Sequence, residues 1–281
     1  MIKILRVQSF PLGAINCLNL NINKDWLIGF IEAEGSFTIT KRGDLQFVIT
    51  QGYNNIHILY KIKQYFGYGR VIKQSKQVFR FVVQDGLYLK KVIEFLNGYL
   101  ILKNKQTQLL KFIEAYNLFY NDNIIIKNNI NKLTKNDSWL AGFIDGDGCF
   151  NITYNPITKV FRICFIISQK EDLNFIKELF DGIGIVSYDK KKDFWEYRIC
   201  DYIGRKTFIR KNKNDYLYLL NDNIIYYFSN FILHTSKINS FSLWFYIVNQ
   251  LRNNNLTHKK EKDLIFLLKY INLGKEDTES K

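Results

Sequence analysis

The sequence predicts an α+β chain in which one unit is built twice, and three observations carry that prediction. A segment reading W-L-I-G-F-I-E-A-E-G-S-F at residues 26–37 returns as W-L-A-G-F-I-D-G-D-G-C-F at residues 139–150, with the same residue or a close relative in every column. The same order of helical and extended patterns then follows both copies, and self-similarity of this kind marks repeated supersecondary units. With 281 residues, 47% of them hydrophobic, the chain can fill one large core or two smaller ones.

Each repeat opens on a helix that its glycine, Gly35 or Gly148, brings to an end. An alternating stretch predicts a strand next, closed by turn residues such as Lys41-Arg42-Gly43 and Asn155-Pro156. Apolar runs ending in glutamine, F-V-I-T-Q to Gln51 and F-I-I-S-Q to Gln169, predict its partner strand. Helical segments follow, I-H-I-L-Y-K-I-K-Q-Y-F and L-N-F-I-K-E-L-F. A glycine turn with a strand, G-Y-G-R-V or G-I-G-I-V, leads to a last strand containing F-R-F or Y-R-I, which aligns Arg80 with Arg198. Terminal helices complete an α-β-β-α-β-β-α unit. The first repeat is placed at residues 1–120, an asparagine-rich connector at 121–137, the second repeat at 138–273 and a disordered tail at 274–281.

A formal charge of +14 exceeds what solubility requires and points to a polyanionic partner, since lysines that neutralise phosphates release counterions. Nucleic acid is favoured over an anionic membrane. A basic insertion in the second repeat, with Arg205, Lys206, Arg210, Lys211 and Lys213, reads as a solvated loop near that partner. Cys17, Cys149, Cys164 and Cys200 are scattered without a C-x-x-C pair, so neither zinc nor a disulfide framework is expected and a reducing compartment fits. His57, His234 and His258 are too few for a histidine metal cluster, which leaves oxygen ligands and a hard ion. No apolar run reaches the ~18 residues of a membrane span, and no signal peptide is read at the start, so a non-secreted protein is expected.

The shared segment also carries chemistry. Gly29 and Ala33 lie one helical turn apart, as do Gly142 and Gly146, which gives each helix a face poor in side chains. Two helices paired along those faces would bring together Glu34 and Asp147 at their C-terminal ends. Acids there oppose the helix dipole and repel each other, so the pair calls for cations. A purely structural packing device, with Glu32 and Asp145 exposed, would explain the glycines but not the repeated acidic doublets E-A-E and D-G-D.

L-I-G-F-I-E-A-E-G at residues 27–35 and L-A-G-F-I-D-G-D-G at residues 140–148 resemble the two signature motifs of monomeric LAGLIDADG homing endonucleases, and the resemblance extends over nearly the whole chain. It implies a saddle of two pseudo-symmetric units whose four-stranded sheets lie in the DNA major groove beside a central active site. Glu34 and Asp147 would bind the catalytic divalent ions, Mg²⁺ or Mn²⁺ with Ca²⁺ as an inactive substitute, helped by the carbonyls of Ala33 and Gly146. A two-metal site activates water and neutralises the leaving oxygen. Gln51 and Gln169 match the family glutamine that orients water. Lys103 and Lys237 are the expected phosphate-side lysines, although matching Leu109 and Phe112 to Phe241 and Trp244 would pair Lys105 with Lys237. Glutamate in place of aspartate in the first motif keeps a carboxylate there, and Phe30 and Phe143 replace a family leucine.

Period-2 alternation, with Phe37, Ile39 and Ile152 set toward the core, proposes the DNA-reading face. It comprises Ser36, Thr38, Thr40, Arg42, Gln46, Arg70, Gln74 and Arg80 in the first half, and Asn151, Thr153, Asn155, Arg162, Ser187, Asp189 and Arg198 in the second. Two such sheets would span about 20 bp of double-stranded DNA. The expected function is therefore double-strand cutting at a long site, promoting mobility of a host intron. An RNA maturase acting on that intron and a noncatalytic DNA-binding regulator are the alternatives. A monomer without an obligate protein partner or membrane association is expected, encoded in a mitochondrion or other organelle.

Overall fold

The computed structural model describes residues 21–128, 132–204, 220–252 and 257–271. The basic insertion and the tail lie outside the described residues. In the first repeat, α1 (Lys24–Glu34), β1 (Gly35–Ile39), β2 (Leu45–Gly52), α2 (Ile56–Phe66), β3 (Arg70–Lys73) and β4 (Val78–Val83) follow the predicted order. Two helices then close it, α3 (Gly86–Leu96) and α4 (Lys103–Tyr120). The second repeat runs α5 (Trp139–Asp147), β5 (Gly148–Asn155), β6 (Val160–Gln169), α6 (Asn174–Leu179), β7 (Ile185–Asp189) and β8 (Phe194–Gly204), and ends in α7 (Tyr226–Asn230), α8 (Lys237–Arg252) and α9 (His258–Leu268).

Each repeat builds one antiparallel four-stranded sheet, in the orders β1-β2-β4-β3 and β5-β6-β8-β7. The α+β class and the twofold repetition hold. Alternation sends Phe47, Ile49 and Phe81 in one sheet, and Phe161, Ile163, Phe165, Ile167, Tyr197 and Ile199 in the other, against the helices, where all are buried. Phe37 packs partly against that core and Ile152 is buried, but Ile39, the last residue of β1, is 45% exposed. Its expected place in the core is corrected: the turn that follows leaves it uncovered.

The strand register corrects a second expectation. Ile49 pairs with Phe81, and its counterpart Ile167 pairs with Tyr197. Gly69 and Gly184 agree, because a Cβ on either would strike Phe81 or Tyr197 respectively. Phe81 therefore matches Tyr197, and Arg80 matches Glu196 rather than Arg198. Arg198 keeps the same face two residues further along.

The connector is strapped down by two amides. Asn117 exchanges hydrogen bonds with both backbone groups of Ile124, at 2.9 and 3.1 Å. Asn97 donates to the Ile125 carbonyl at 2.8 Å and accepts from the Lys127 N–H at 2.9 Å. Cys164 and Cys200 face each other across β6 and β8, with Cα atoms 4.2 Å apart, and form a disulfide. This overturns the expectation of no disulfide: the pair is set by strand register, which the cysteine spacing does not reveal.

Candidate active site

The site grows from the contact between α1 and α5. Asn23 caps α1, accepting from the Trp26 N–H at 2.9 Å, and also takes the Ser138 hydroxyl at 2.6 Å, so the two helices start from one shared anchor. Their backbones then touch. A Cβ on Gly29 would lie 2.0 Å from the Trp139 carbonyl oxygen, and one on Gly142 would lie 1.8 Å from that of Trp26. A Cβ on Gly146 would meet the Ala33 Cβ at 2.2 Å. The side-chain-poor faces read from the sequence are the contact surface.

Gly35 and Gly148 end the helices, but in extended conformation, with φ of −72° and −84°. Their glycine is required by space instead. A Cβ would lie 2.6 Å from the Ile31 carbonyl at Gly35 and 2.4 Å from the Ile144 side chain at Gly148. That tight exit sends each chain directly from helix into β1 or β5 and leaves Glu34 and Asp147 side by side at the junction.

Asp147 senses the charge of Glu34. Burial, and then the charge of Glu34, push the Asp147 carboxyl up to about 7. Burial also raises Glu34, against the pull of Lys237, a hydrogen bond from Gln51 and Lys105. Each glutamine serves its own repeat: Gln169 donates to Asp147 as Gln51 does to Glu34. Gln51 is itself held by Asn55 at 3.2 Å.

Two lysines flank the pair. Lys105 donates to the Gly35 carbonyl, and Lys237 to those of Ile144 (3.0 Å) and Gly146. Burial lowers the pKa of both ammonium groups, while the neighbouring acids hold them up. Ammonium groups at helix C-termini offset the dipole there. Of the two lysines that open α4, Lys105 rather than the expected Lys103 contacts the motif end. Helix α4 begins at Lys103, whose side chain is exposed, and its phase turns Lys105 toward the motif. The Gly146 carbonyl, expected to help hold a metal, is engaged by Lys237.

Glu32 and Asp145 are not exposed as a packing device would leave them; their relative exposures are 0% and 2%. Glu32 accepts from the N–H groups of Ile101 (2.8 Å) and Leu102 (2.6 Å) and from the Trp139 indole (3.0 Å). Asp145 accepts from the N–H groups of His234 (2.7 Å) and Thr235 (3.0 Å), the Thr235 hydroxyl (2.5 Å) and the Trp26 indole (2.9 Å). The sequence carried a signal for these roles, in the tryptophan that opens each copy and the first acid of each doublet.

Ser36, Thr38, Gln46 and Arg80 lie on the sheet face away from the core, with Arg70 on the outer strand; Thr153, Arg162, Ser187 and Arg198 share the corresponding face of the second sheet. Asn151 pairs with Cys164 on that face. Arg42 and Gln74 are exposed in turns. Several candidates have local partners. The Thr40 hydroxyl closes its turn with Asp44 at 3.0 Å, and Asn155 accepts from Ile157 and Thr158 at 2.9 and 3.1 Å. Asp189 accepts from Lys191 and Lys192 at 2.9 and 3.3 Å. Arg70 bonds Gln84 at 2.7 Å, and Arg198 pairs with Glu196. The buried Nε atoms of Arg80, Arg162 and Arg198 have no hydrogen-bond partner.

The donors at the motif ends fit a hard divalent ion in a particular way. Two adjacent carboxylates are present, and among the described residues no cluster of three or more metal-binding side chains exists. Mg²⁺ is ordinarily held by one or two carboxylates plus substrate phosphate oxygens and water, so this donor set suits an ion completed by a phosphodiester.

Comparisons with known proteins agree with this geometry. The family model described as LAGLIDADG endonuclease matches residues 27–116 and 140–219, once per repeat. Among curated proteins, a Neurospora crassa protein called probable intron-encoded endonuclease 4 is 29% identical over 90% of this chain. The intron-encoded RNA maturase bI4 of Saccharomyces cerevisiae is 26% identical over 70% of it. The chain spans 45% and 30% of those two relatives, respectively. Among solved structures, the meganuclease I-SmaMI bound to uncleavable DNA superposes with a TM-score of 0.73 at 21% identity, covering 91% of this chain and all of that one. The homing endonuclease I-LtrWI, bound to its target DNA, gives 0.70 at 18% identity, covering 87% of this chain and 96% of that one. With a family match in each repeat, on the very segments that form the helix pair and its carboxylates, the chain belongs to the LAGLIDADG endonuclease family.

Proposed function

We propose that this chain is a site-specific DNA endonuclease that cuts both strands of a long target, about 20 bp if each sheet follows one major-groove turn, and so promotes mobility of an intron that encodes it. The observation that carries this reading is the pairing of Glu34 and Asp147 between two half-buried lysines, with one open-faced sheet on either side. Arginines on the two sheet faces, Arg70, Arg80, Arg162 and Arg198, support DNA as the partner, since guanidinium groups donate to phosphates and base edges. The relatives' intron-encoded names support an organellar, mitochondrial home.

In the reaction, Glu34 and Asp147 would hold Mg²⁺ or Mn²⁺, which when bound supplies charge neutralisation and an activated water at the phosphodiester. The protein's own groups do the rest. Gln51 and Gln169 fix the two carboxylates and present amide groups that can orient water. Lys105 and Lys237 place positive charge beside the reacting phosphates, where partial burial strengthens it. The chain acts as a monomer, because each of its repeats supplies one carboxylate, one glutamine and one lysine.

A cleavage selection on a library of candidate intron-insertion sequences with Mg²⁺ tests the reading. Double-strand cuts at one long site are expected. Tight, specific DNA binding with no cutting in Mg²⁺ or Mn²⁺ would overturn it, and the match to an RNA maturase makes intron RNA the next ligand to try.

A further inference from the structure

The two lysines are each set by both repeats. Glu32, in the first repeat, holds the N–H groups of Ile101 and Leu102, the residues from which α4 launches Lys105, and its third hydrogen bond comes from Trp139 of the second repeat. Asp145, in the second repeat, holds His234 and Thr235 just before Lys237, and its further donor is Trp26 of the first repeat. Crossed contacts recur at the helix starts. The Asn104 N–H reaches Glu171 of the second repeat at 3.4 Å, while the Ser236 N–H reaches Asn55 of the first at 2.8 Å, and His57 donates to the His234 carbonyl at 2.9 Å.

We propose that Glu32 and Asp145 are positioning residues whose tryptophan partners couple the repeats crosswise: Trp139 helps to place Lys105, and Trp26 helps to place Lys237. An acid carrying three or four hydrogen bonds deep in the core fixes its partners far more tightly than a surface pair would, because a buried polar group left unmatched costs the full desolvation penalty. The functional part of this inference rests on the endonuclease reading; the mechanical part does not. Its consequence is that neither lysine is placed until both halves are docked, so a chain with one repeat misfolded would lose order at both centres.

Trp139→Phe and Trp26→Phe remove one indole N–H each and keep an aromatic ring. Hydrogen exchange of the DNA-free protein should show residues 101–106 exchanging about tenfold faster in Trp139→Phe, the scale of one buried hydrogen bond, with residues 234–238 unchanged. Trp26→Phe should show the reverse. Glu32→Gln, which cannot accept all three bonds, should loosen residues 101–106 as Trp139→Phe does, and serves if a tryptophan variant does not fold. In strand-resolved cleavage, Trp139→Phe should slow the strand that Lys105→Ala slows, and Trp26→Phe the strand that Lys237→Ala slows. Equal loosening of both segments, or loosening confined to the substituted repeat, would overturn the proposal. Should the native chain cut no DNA, the endonuclease reading fails while the exchange pattern still decides the crossed coupling.

Discussion

At the residue scale, the site gathers acids where burial, joined at Asp147 by the charge of Glu34, favours the proton. Asp147 and Glu32 are both held near 7, well above their ordinary values near 4. A raised acid binds its proton more tightly in the folded state, so its stabilising effect is complete below the unfolded pKa near 4 and is lost as pH rises through about 7. The cation-free native protein should therefore lose thermal stability between pH 4 and 7 more steeply than Asp147→Asn, as read from melting curves in chelator. Added Mg²⁺ should raise the native midpoint more at pH 8 than at pH 5, because metal and proton compete for the same carboxylates. A midpoint difference between native and variant that does not change with pH would contradict this. The paired acids, Glu34 and Asp147, and the glutamines beside them were legible in the sequence because each repeat displays them at one spacing. Lys105 was not singled out because its role depends on where α4 begins, and Glu32 and Asp145 were missed because their partners lie 69 to 119 residues away in the chain.

Among elements, the α1–α5 pair decides the geometry of everything else. A methyl group at Gly142 would sit 1.8 Å from a backbone oxygen, so the helices must separate rather than repack. Gly142→Ala should cost at least about 1–3 kcal/mol, seen as a fall of several degrees in the melting midpoint. It should also weaken activity beyond the loss of folded protein, because the carboxylates move apart with the helices. An alanine variant with native stability and activity would show that the contact is less constrained than this. The strands follow a simpler rule. Period-2 alternation assigned Phe37 and Ile152 to the core face but also Ile39, which is exposed, whereas the rungs that place Arg198 beyond Arg80's counterpart and join Cys164 to Cys200 depend on register and were invisible before the strands were paired.

For the whole molecule, the proposed function makes the active site intramolecular, with two repeats in one chain, and makes the charge of +14 the source of its DNA affinity. Binding to a specific duplex should fall log-linearly with salt, with a slope near −0.9 for each phosphate neutralised. Substituting Arg80 or Arg162 should reduce that slope by about 1 if the residue contacts a phosphate, or relax base preference at one position if it reads an edge. A salt-independent affinity would contradict the electrostatic account. The most direct test of the central claim, that Glu34 and Asp147 form one shared catalytic centre, is cleavage of the selected target by Glu34→Gln and Asp147→Asn in Mg²⁺, alongside DNA binding in Ca²⁺. The account predicts that each single substitution abolishes double-strand cutting while target affinity stays near that of the native chain. Persistent double-strand cutting by either variant would contradict it.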